Sequence, residues 1–209
     1  MMQLSEYKKE QLEMSKKVVI DKLNKKPEII AGINKAFVSD KIVVGVFACD
    51  KNFKEIDSAF SVKKLEFPYV AGYLGYREGP AMLEAFSLLK DKPDLLIVEG
   101  NGVLHPRKFG LACYVGLAAD IPTIGVAKSL LVGDVKKGDV FLNDEIIGKE
   151  VLSKKRSKPL YVSVGNKITL KEAVKIIKES IIPPHKLPEP LHLANRLAKK
   201  TADKFKMKK

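Results

Sequence analysis

The sequence contains little of several residue types whose chemistry defines other classes of protein. It has no Trp, three His and two Cys in 209 residues. Cys49 and Cys113 each lie in an apolar stretch without the spacing of metal ligands, so we interpret them as reduced core residues of an intracellular protein. This pattern excludes a disulfide-stabilised secreted domain and a Cys-rich zinc module.

Long hydrophobic segments and nucleotide-binding loops are also absent. No run of 18 apolar residues occurs, and the first ten residues, MMQLSEYKKE, lack the pattern of a signal peptide. We therefore expect a cytoplasmic protein with no membrane partner. The sequence has neither a Walker loop nor a G-x-G-x-x-G after its first buried strand, which argues against a nucleotide-dependent metabolic enzyme.

Positive charge, in contrast, is abundant. The chain has 38 Lys and Arg against 25 Asp and Glu, a formal net charge of +13. Such an excess favours a polyanionic partner, and nucleic acid is the first candidate. The alternative is a set of lysines on solvated faces that contact nothing, because Lys greatly outnumbers Arg.

Residues 93–128 form the segment around which the rest is organised. Two short apolar runs, 95–98 and 123–127, flank a stretch with the apolar spacing of a buried helix, which predicts a strand, a loop, a helix and a strand. A parallel pair of this kind brings Glu99 and Lys128 to one edge of the sheet, meaning the edge formed by the carboxyl ends of its parallel strands. Open α/β sheets bind their ligands there. A well-packed βαβ unit with a polar loop is the plainer alternative.

The first half of the chain supplies further elements around this unit. Residues 1–37 form a predicted N-terminal helical segment, and the continuous apolar run 42–49 predicts a strand buried on both faces. Residues 58–67 alternate as its hairpin partner. A helix is predicted over 81–90, with Pro80 in its first turn.

The second half adds three strands and two helices. The strands are predicted at 140–142, 146–151 and 160–164. A capping box at Thr169 and Glu172 opens one helix, and the last helix, from residue 191 to about 205, leads into a Lys-rich tail at 200–209. We predict an α/β fold with a mixed central sheet flanked by helices, in one domain over residues 1–209.

Three acidic residues stand where predicted elements reach the edge of the sheet. Asp50 ends the first buried strand, Glu78 comes just before the predicted helix, and Glu99 ends a strand. Acids gathered at one point repel each other unless a divalent cation joins them, and Mg²⁺ binds through carboxylates and phosphate oxygens. A basic protein with such a centre fits phosphodiester cleavage, with Lys128 offsetting the developing charge. Ordinary surface carboxylates are the alternative.

Several long motifs follow one another along nearly the whole chain. They are PYVAGYLGYREGP from Pro68, EGNGVLHPRKFGLACYVGL from Glu99, IPTIGVAKSLL from Ile121, KPLYVSVGNKI from Lys158 and LPEPLHLANRLAK from Leu187. Together, in this order, they resemble the endonuclease V (deoxyinosine 3′ endonuclease) family. The resemblance implies an RNase H-like fold. It also implies a Mg²⁺-dependent enzyme, with Mn²⁺ as a possible substitute, that cuts the second phosphodiester bond 3′ to inosine in DNA or RNA during DNA repair.

The resemblance also implies roles for individual residues. Asp50, Glu78 and Glu99 match metal ligands, and Glu78, His105 and Lys128 match catalytic residues. Two sets match substrate-binding positions: a wedge that enters the duplex, formed by Pro68, Tyr69, Val70 and Ala71, and the lining of a pocket for the extruded base, formed by Leu74, Gly100 and Gly110. A base that is read from all sides must leave the stack, and a mispaired inosine costs less to extract.

The sequence departs from the family pattern at several positions. Glu99 stands where Asp is usual, Ala71 replaces the proline of the wedge, Tyr114 replaces a His, and the interval between Asp50 and Tyr69 is short. Two hypotheses therefore stay open. One is an inosine-specific endonuclease, which we expect to be a monomer. The other is a catalytically weakened binder of inosine-containing or branched nucleic acid.

Overall fold

The computed structural model describes residues 3–154 and 156–206. The strands are β1 Ile30–Val38, β2 Lys41–Cys49, β3 Glu55–Lys64, β4 Leu95–Glu99, β5 Thr123–Ala127, β6 Asp134–Lys136, β7 Asp139–Leu142, β8 Glu145–Val151 and β9 Leu160–Asn166. The helices are α1 Leu4–Ser15, α2 Leu74–Ser87, α3 Leu111–Ala118, α4 Leu170–Glu179 and α5 Glu189–Lys206.

The strands of the described chain form one sheet in the order β3-β2-β1-β4-β5-β9-β8-β7-β6. Strand β4 runs parallel to β1 and β5, and the other pairings among the described strands are antiparallel. This arrangement confirms the prediction of a mixed α/β sheet in a single domain. The parallel connection predicted from 93–128 is present as β4, α3 and β5.

Helices cover the sheet and explain why its central strands are apolar throughout. One cluster of buried side chains packs α2 and α3 against β1, β2 and β4. A second packs α4 and the start of α5 against β4, β5, β8 and β9. Helix α5 approaches β1 so closely that a Cβ at Gly32 would lie 2.2 Å from the carbonyl carbon of Pro190. Only glycine permits this contact.

The prediction of a helical segment over residues 1–37 is wrong for most of its length. Helix α1 ends at Ser15, and Ile30–Val38 forms strand β1. The helical spacing of the first residues does not continue past Pro27. The apolar run beyond it gains two partners, β2 on one side and β4 on the other, and these pairings stabilise a central strand.

The predicted start of the second helix is also wrong. Helix α2 begins at Leu74, so Pro80 and Glu78 both lie inside it. The turn that precedes the helix contains Gly72 at φ +81°, a conformation that favours glycine, and Tyr73 follows as the N-cap residue. This earlier start matters because it places Glu78 on a rigid, buried turn of helix.

The remaining elements follow the predictions closely. Strand β3 covers most of 58–67, and the three later strands and the capping box of Thr169 with Glu172 are confirmed. Strand β6 was not predicted. The Lys-rich tail begins inside α5, and its last three residues, 207–209, lie outside the described chain. Within the described ranges no helix is both long and apolar enough to cross a membrane.

Candidate functional site

Strand register brings the candidate residues to one edge of the sheet. Ile33 of β1 pairs with Val98 of β4, so the next residues, Asn34 and Glu99, continue side by side. Glu99 in turn pairs with Val126 of β5, two residues before Lys128. The carboxyl ends of the parallel strands therefore meet where the sequence predicted, and Lys128 Nζ lies 3.1 Å from Glu99 Oε1.

A lysine that was not predicted lies at the centre of this edge. The ammonium of Lys35 forms an ion pair with the Glu99 carboxylate and donates a 2.9 Å hydrogen bond to the Glu99 backbone carbonyl. Its Nζ also lies 2.9 Å from Glu78 Oε2, an ion pair without the angles of a hydrogen bond. The two acidic side chains are almost fully buried, 4% and 14% exposed, and Lys35 is the cation that they share.

The charges of this cluster balance. Burial alone would raise the pKa of Glu99, but Lys35 and Lys128 outweigh it and hold that pKa below its usual value. Burial alone would lower the pKa of Lys35, and the two glutamates outweigh it and raise that pKa. Two carboxylates thus face two ammonium groups, so the formal charges of the cluster sum to zero.

Asp50 does not join the cluster, and its predicted role as a metal ligand is not supported by its position. Cys49 pairs with Ile30, and Ile30 pairs with Leu95 at the start of β4. Glu99 lies four residues further along β4, about 13 Å at 3.3 Å per residue. The Asp50 carboxylate instead accepts hydrogen bonds from the backbone of Asn52 and Lys54 and closes its own turn. Because β2 runs antiparallel to β1, its end lies at the opposite edge.

A cavity of about 350 Å³ opens beside the charged cluster, within the usual size range of small-ligand sites, about 300–1,000 Å³. Its lining joins the predicted pocket residues to the cluster: Lys35, Tyr69, Ala71, Leu74, Glu99, Gly100, Asn101, His105, Gly110 and Lys128 are among them. A larger cavity of about 500 Å³ lies elsewhere, around Tyr7 and Arg77, and contains neither glutamate of the cluster. The smaller cavity is therefore the candidate site.

The glycines of the pocket wall stand where a side chain has little room. A Cβ at Gly110 would lie 2.3 Å from the Asn101 carbonyl oxygen, a backbone contact that only glycine permits, and one at Gly100 would lie 3.0 Å from the side chain of Leu111. Both predicted pocket glycines thus allow the loop after β4 to fold tightly against α3. The backbone remains accessible to a ligand in the cavity.

The predicted wedge projects from the mouth of this cavity. Pro68 and Ala71 are exposed, Val70 is half-buried, and Tyr69 is 71% exposed. Behind the wedge, the carbonyl of Gly72 accepts hydrogen bonds from three side chains, those of Gln11, His105 and Arg107, at 2.8 to 3.0 Å. An exposed loop with such an anchored end is positioned rather than mobile.

His105 is part of this anchor. Its Nε2 donates to the Gly72 carbonyl at 2.9 Å, and its Nδ1 accepts from the Arg107 backbone N–H at 3.2 Å. The ring is 3% exposed, and burial lowers its pKa to about 4, with the Gly72 carbonyl opposing that effect and Arg107 adding to it. Both ring nitrogens of His105 are thus bound to backbone groups, and its predicted catalytic role stays a prediction.

Three contributors to the site were not predicted. Lys35 and Asn34 fell within the segment assigned to a helix, although a lone lysine in the apolar run IAGINKAFV is a usable signal. Asn34 is buried, and its amide lies 3.4 Å from the Leu191 carbonyl oxygen. Gln11 is buried on α1 and binds Gly72 and Arg107. No pattern in the sequence marks it, because its partners lie more than 60 residues away.

A mixed sheet with acidic residues on a helix and at the end of a central strand, beside a cavity, is the arrangement expected of the RNase H-like class of nucleases that the resemblance implies. Comparison with known proteins agrees. The family model for endonuclease V matches residues 12–196. The chain therefore belongs to the endonuclease V family, whose members are nucleases.

Individual relatives support this assignment. The chain is 37% identical to endonuclease V from Dictyoglomus thermophilum over 199 residues, which cover 91% of this chain and 87% of the relative. It is similar to the crystal structure of endonuclease V from Streptomyces avermitilis, with a TM-score of 0.87, 28% identity and coverage of 99% and 96%. A structure from Ciona intestinalis has a TM-score of 0.87, 26% identity and coverage of 97% and 98%. That protein was crystallised with a 24mer DNA containing an inosine followed by a ribo-adenosine.

The divalent ion implied by the family does not fit the cluster as it stands. Lys35 occupies the space between the two carboxylates, and no net negative charge is left for a cation. Within residues 3–154 and 156–206, the glutamates also have no third His, Cys, Asp or Glu close enough to complete a three-ligand group. The described residues contain one such group elsewhere, His185, Glu189 and His192, whose ligand atoms lie within 4.8 Å of one another.

Proposed function

We propose that the protein recognises inosine in DNA or RNA and cuts the second phosphodiester bond on its 3′ side, and that it acts in the repair of deaminated adenine. Family membership supports the reaction class, and the Ciona intestinalis relative supports the substrate. The observation that carries the proposal for this chain is the cavity between the exposed wedge and the Glu99 edge.

Recognition follows from this geometry. Tyr69 and its neighbours enter the duplex as a wedge, and the displaced base moves into the adjacent cavity. Extraction costs a few kcal/mol, and least for a mispaired base, so a weakly paired inosine is selected first. The half-exposed ammonium of Lys128, at the rim, is placed to bind a phosphate.

Discrimination against adenine has a candidate residue. The side-chain oxygen of Asn101 is buried without a hydrogen-bond partner, and Asn101 lines the cavity. Hypoxanthine carries an N–H at N1, where adenine carries a lone pair. A buried acceptor that gains a donor from hypoxanthine, and stays unpaired with adenine, favours inosine.

A second candidate function is favoured by one observation. Lys35 lies between Glu78 and Glu99 and pairs with both, so the cofactor implied by the resemblance, Mg²⁺ or Mn²⁺, requires Lys35 to leave. A protein in which Lys35 stays in place binds inosine-containing nucleic acid through its wedge and cavity without fast cutting.

Matched oligonucleotides separate the two functions. We would incubate the protein with DNA and RNA bearing one inosine, or adenine at the same position, in Mg²⁺, Mn²⁺ or EDTA, and would measure both nicking and gel shift. Nicking that is lost in Glu78→Ala and maintained in Glu99→Asp supports the endonuclease. A shift without nicking supports the binder, and equal binding of inosine and adenine contradicts both.

A further inference from the structure

We infer that Lys35 is a built-in cation of this site: in the free protein its ammonium takes the place of a divalent ion between Glu78 and Glu99, so that this pair binds no metal. The inference deepens the proposed function and rests on it only for the nucleic-acid arm of its test.

The Lys35 ammonium contacts three oxygens of the cluster, one through a hydrogen bond and two through ion pairs. A lysine ammonium has three N–H groups and accepts nothing. Here Nζ contacts three oxygens, the Glu99 carboxylate, the Glu99 backbone carbonyl and Glu78 Oε2. Lys35 therefore joins a strand end and a helix in the manner of a bridging ion.

Burial fixes this arrangement. The Lys35 side chain is 12% exposed, whereas that of Lys128, the other lysine on Glu99, is 50% exposed. A buried ion pair loses much more than a surface pair when one partner leaves, because the remaining charge is uncompensated. The Lys128 side chain can therefore leave Glu99 for a phosphate at a small cost in free energy. The Lys35 side chain is held between the two glutamates.

Metal binding requires what the cluster lacks. Mg²⁺ is bound by oxygens at about 2.0–2.1 Å in an octahedral arrangement and usually through anionic carboxylates. With Lys35 in place, an added ion meets a positive charge within contact distance of both glutamates and finds no third acidic ligand among the described residues. Replacing Lys35 by alanine removes the charge and opens the space.

Manganese binding to the full-length protein tests the inference directly. Free Mn²⁺ is measured by its electron paramagnetic resonance signal, with all variants built on His192→Ala so that the separate His185, Glu189 and His192 group does not contribute. We expect Lys35→Ala to bind Mn²⁺ about tenfold more tightly than its parent or more. Adding Glu78→Gln to Lys35→Ala should abolish the gain, and Lys149→Ala, which removes a lysine from a partly buried ion pair outside the cluster, is the matched control without it.

A second measurement keeps the inference falsifiable if Lys35→Ala does not fold. The parent and its Glu78→Gln variant, which keeps the Lys35 to Glu99 pair, should bind Mn²⁺ equally. Weaker binding in Glu78→Gln shows that Glu78 holds metal while Lys35 is present, and this result overturns the inference.

The nucleic-acid arm separates this inference from the proposed function. An inosine duplex should shift equally in EDTA and in Ca²⁺, because the site carries its own cation. A shift that requires Ca²⁺ and depends on Glu78 contradicts the inference. Loss of any preference for inosine contradicts the proposed function instead, and the manganese titrations still decide the role of Lys35.

Discussion

The two edges of the central sheet, formed by the two ends of its strands, carry acidic residues in the same sequence context. These residues differ in the groups that they contact. Glu99 and Asp50 each follow a buried apolar strand. Glu99 meets Glu78, Lys35 and Lys128 from three other elements, whereas Asp50 binds the backbone of its own turn. The difference arises from strand direction, because β4 is parallel to its neighbours and β2 is antiparallel.

This comparison shows when an acidic residue at the end of a strand indicates a functional site. Parallel strands joined by helices bring several chain segments to one edge, so side chains distant in sequence converge there. A hairpin returns the chain to the same edge after a few residues, and a carboxylate at that point stabilises the turn. The following experiments test that contrast, beginning with the largest expected effect.

The Glu99 edge should depend most on Lys35. Lys35→Ala leaves two buried carboxylates without their shared cation and should lower the free energy of unfolding by about 3–5 kcal/mol, measured by urea denaturation. Lys128→Ala removes an exposed partner of the same carboxylate and should cost less than about 1 kcal/mol. Equal losses in the two variants would show that burial does not distinguish these lysines.

The anchor behind the wedge should make stability depend on pH. The folded pKa of His105, about 4, lies below its unfolded value of 6.5, so the unfolded chain takes up the proton first as pH falls. The contribution of His105 to stability is present above pH 6.5 and is lost as the pH falls toward 4. The free energy of unfolding should fall by about 2 kcal/mol between pH 7 and pH 5 for this reason. Urea denaturation of the His105→Gln variant over the same pH range should show a smaller fall in the free energy of unfolding. If the free energy depends on pH as steeply as in the parent protein, the loss arises from other groups.

The wedge should contribute to binding without contributing to the fold. On the proposed function, Tyr69→Ala should weaken binding of an inosine duplex by about 1–3 kcal/mol through lost stacking, with an unchanged melting temperature. Phe60→Ala on the outer strand β3, also an exposed aromatic, is the control and should bind normally. Gel-shift titrations measure both, and a similar loss in the two variants would remove the wedge from the model of recognition.

The Asp50 edge should give the smallest effect. Asp50→Ala removes two hydrogen bonds of a surface turn and should lower stability by about 1 kcal/mol, with no change in nicking or binding. The same urea and gel-shift measurements apply. A large loss of nicking with normal stability would return Asp50 to the catalytic centre and would contradict its place at the far edge.

Much of the fold could be predicted because local patterns and tertiary structure agree. Apolar runs marked β2, β4, β5 and the later strands, and the capping box marked α4. The prediction failed at β1, because the helical segment was extended through an apolar run that pairs with a strand on each side. It also failed at α2, where a turn at Gly72, rather than Pro80, sets the start of the helix.

The site was predictable in part for the same reason. Motifs located Glu78, Glu99 and Lys128, and the pairing of Glu99 with Lys128 followed from a parallel unit. Lys35 had one signal in the sequence, its position as a lone lysine in an apolar run, but its role depends on which strand lies beside β4. The misassignment of Asp50 has the same origin, since a strand's direction in the sheet is not encoded within the strand itself.

The three donors gathered on the Gly72 carbonyl have a mechanical consequence. On the proposed function, a loop held at its base by residues from α1 and from the His105 loop meets the nucleic acid as a rigid element, so the duplex deforms and the loop does not. Duplexes with a poorly stacked or poorly paired step deform at the lowest cost in free energy and are engaged first. The ease of deforming the duplex then becomes part of how inosine is found.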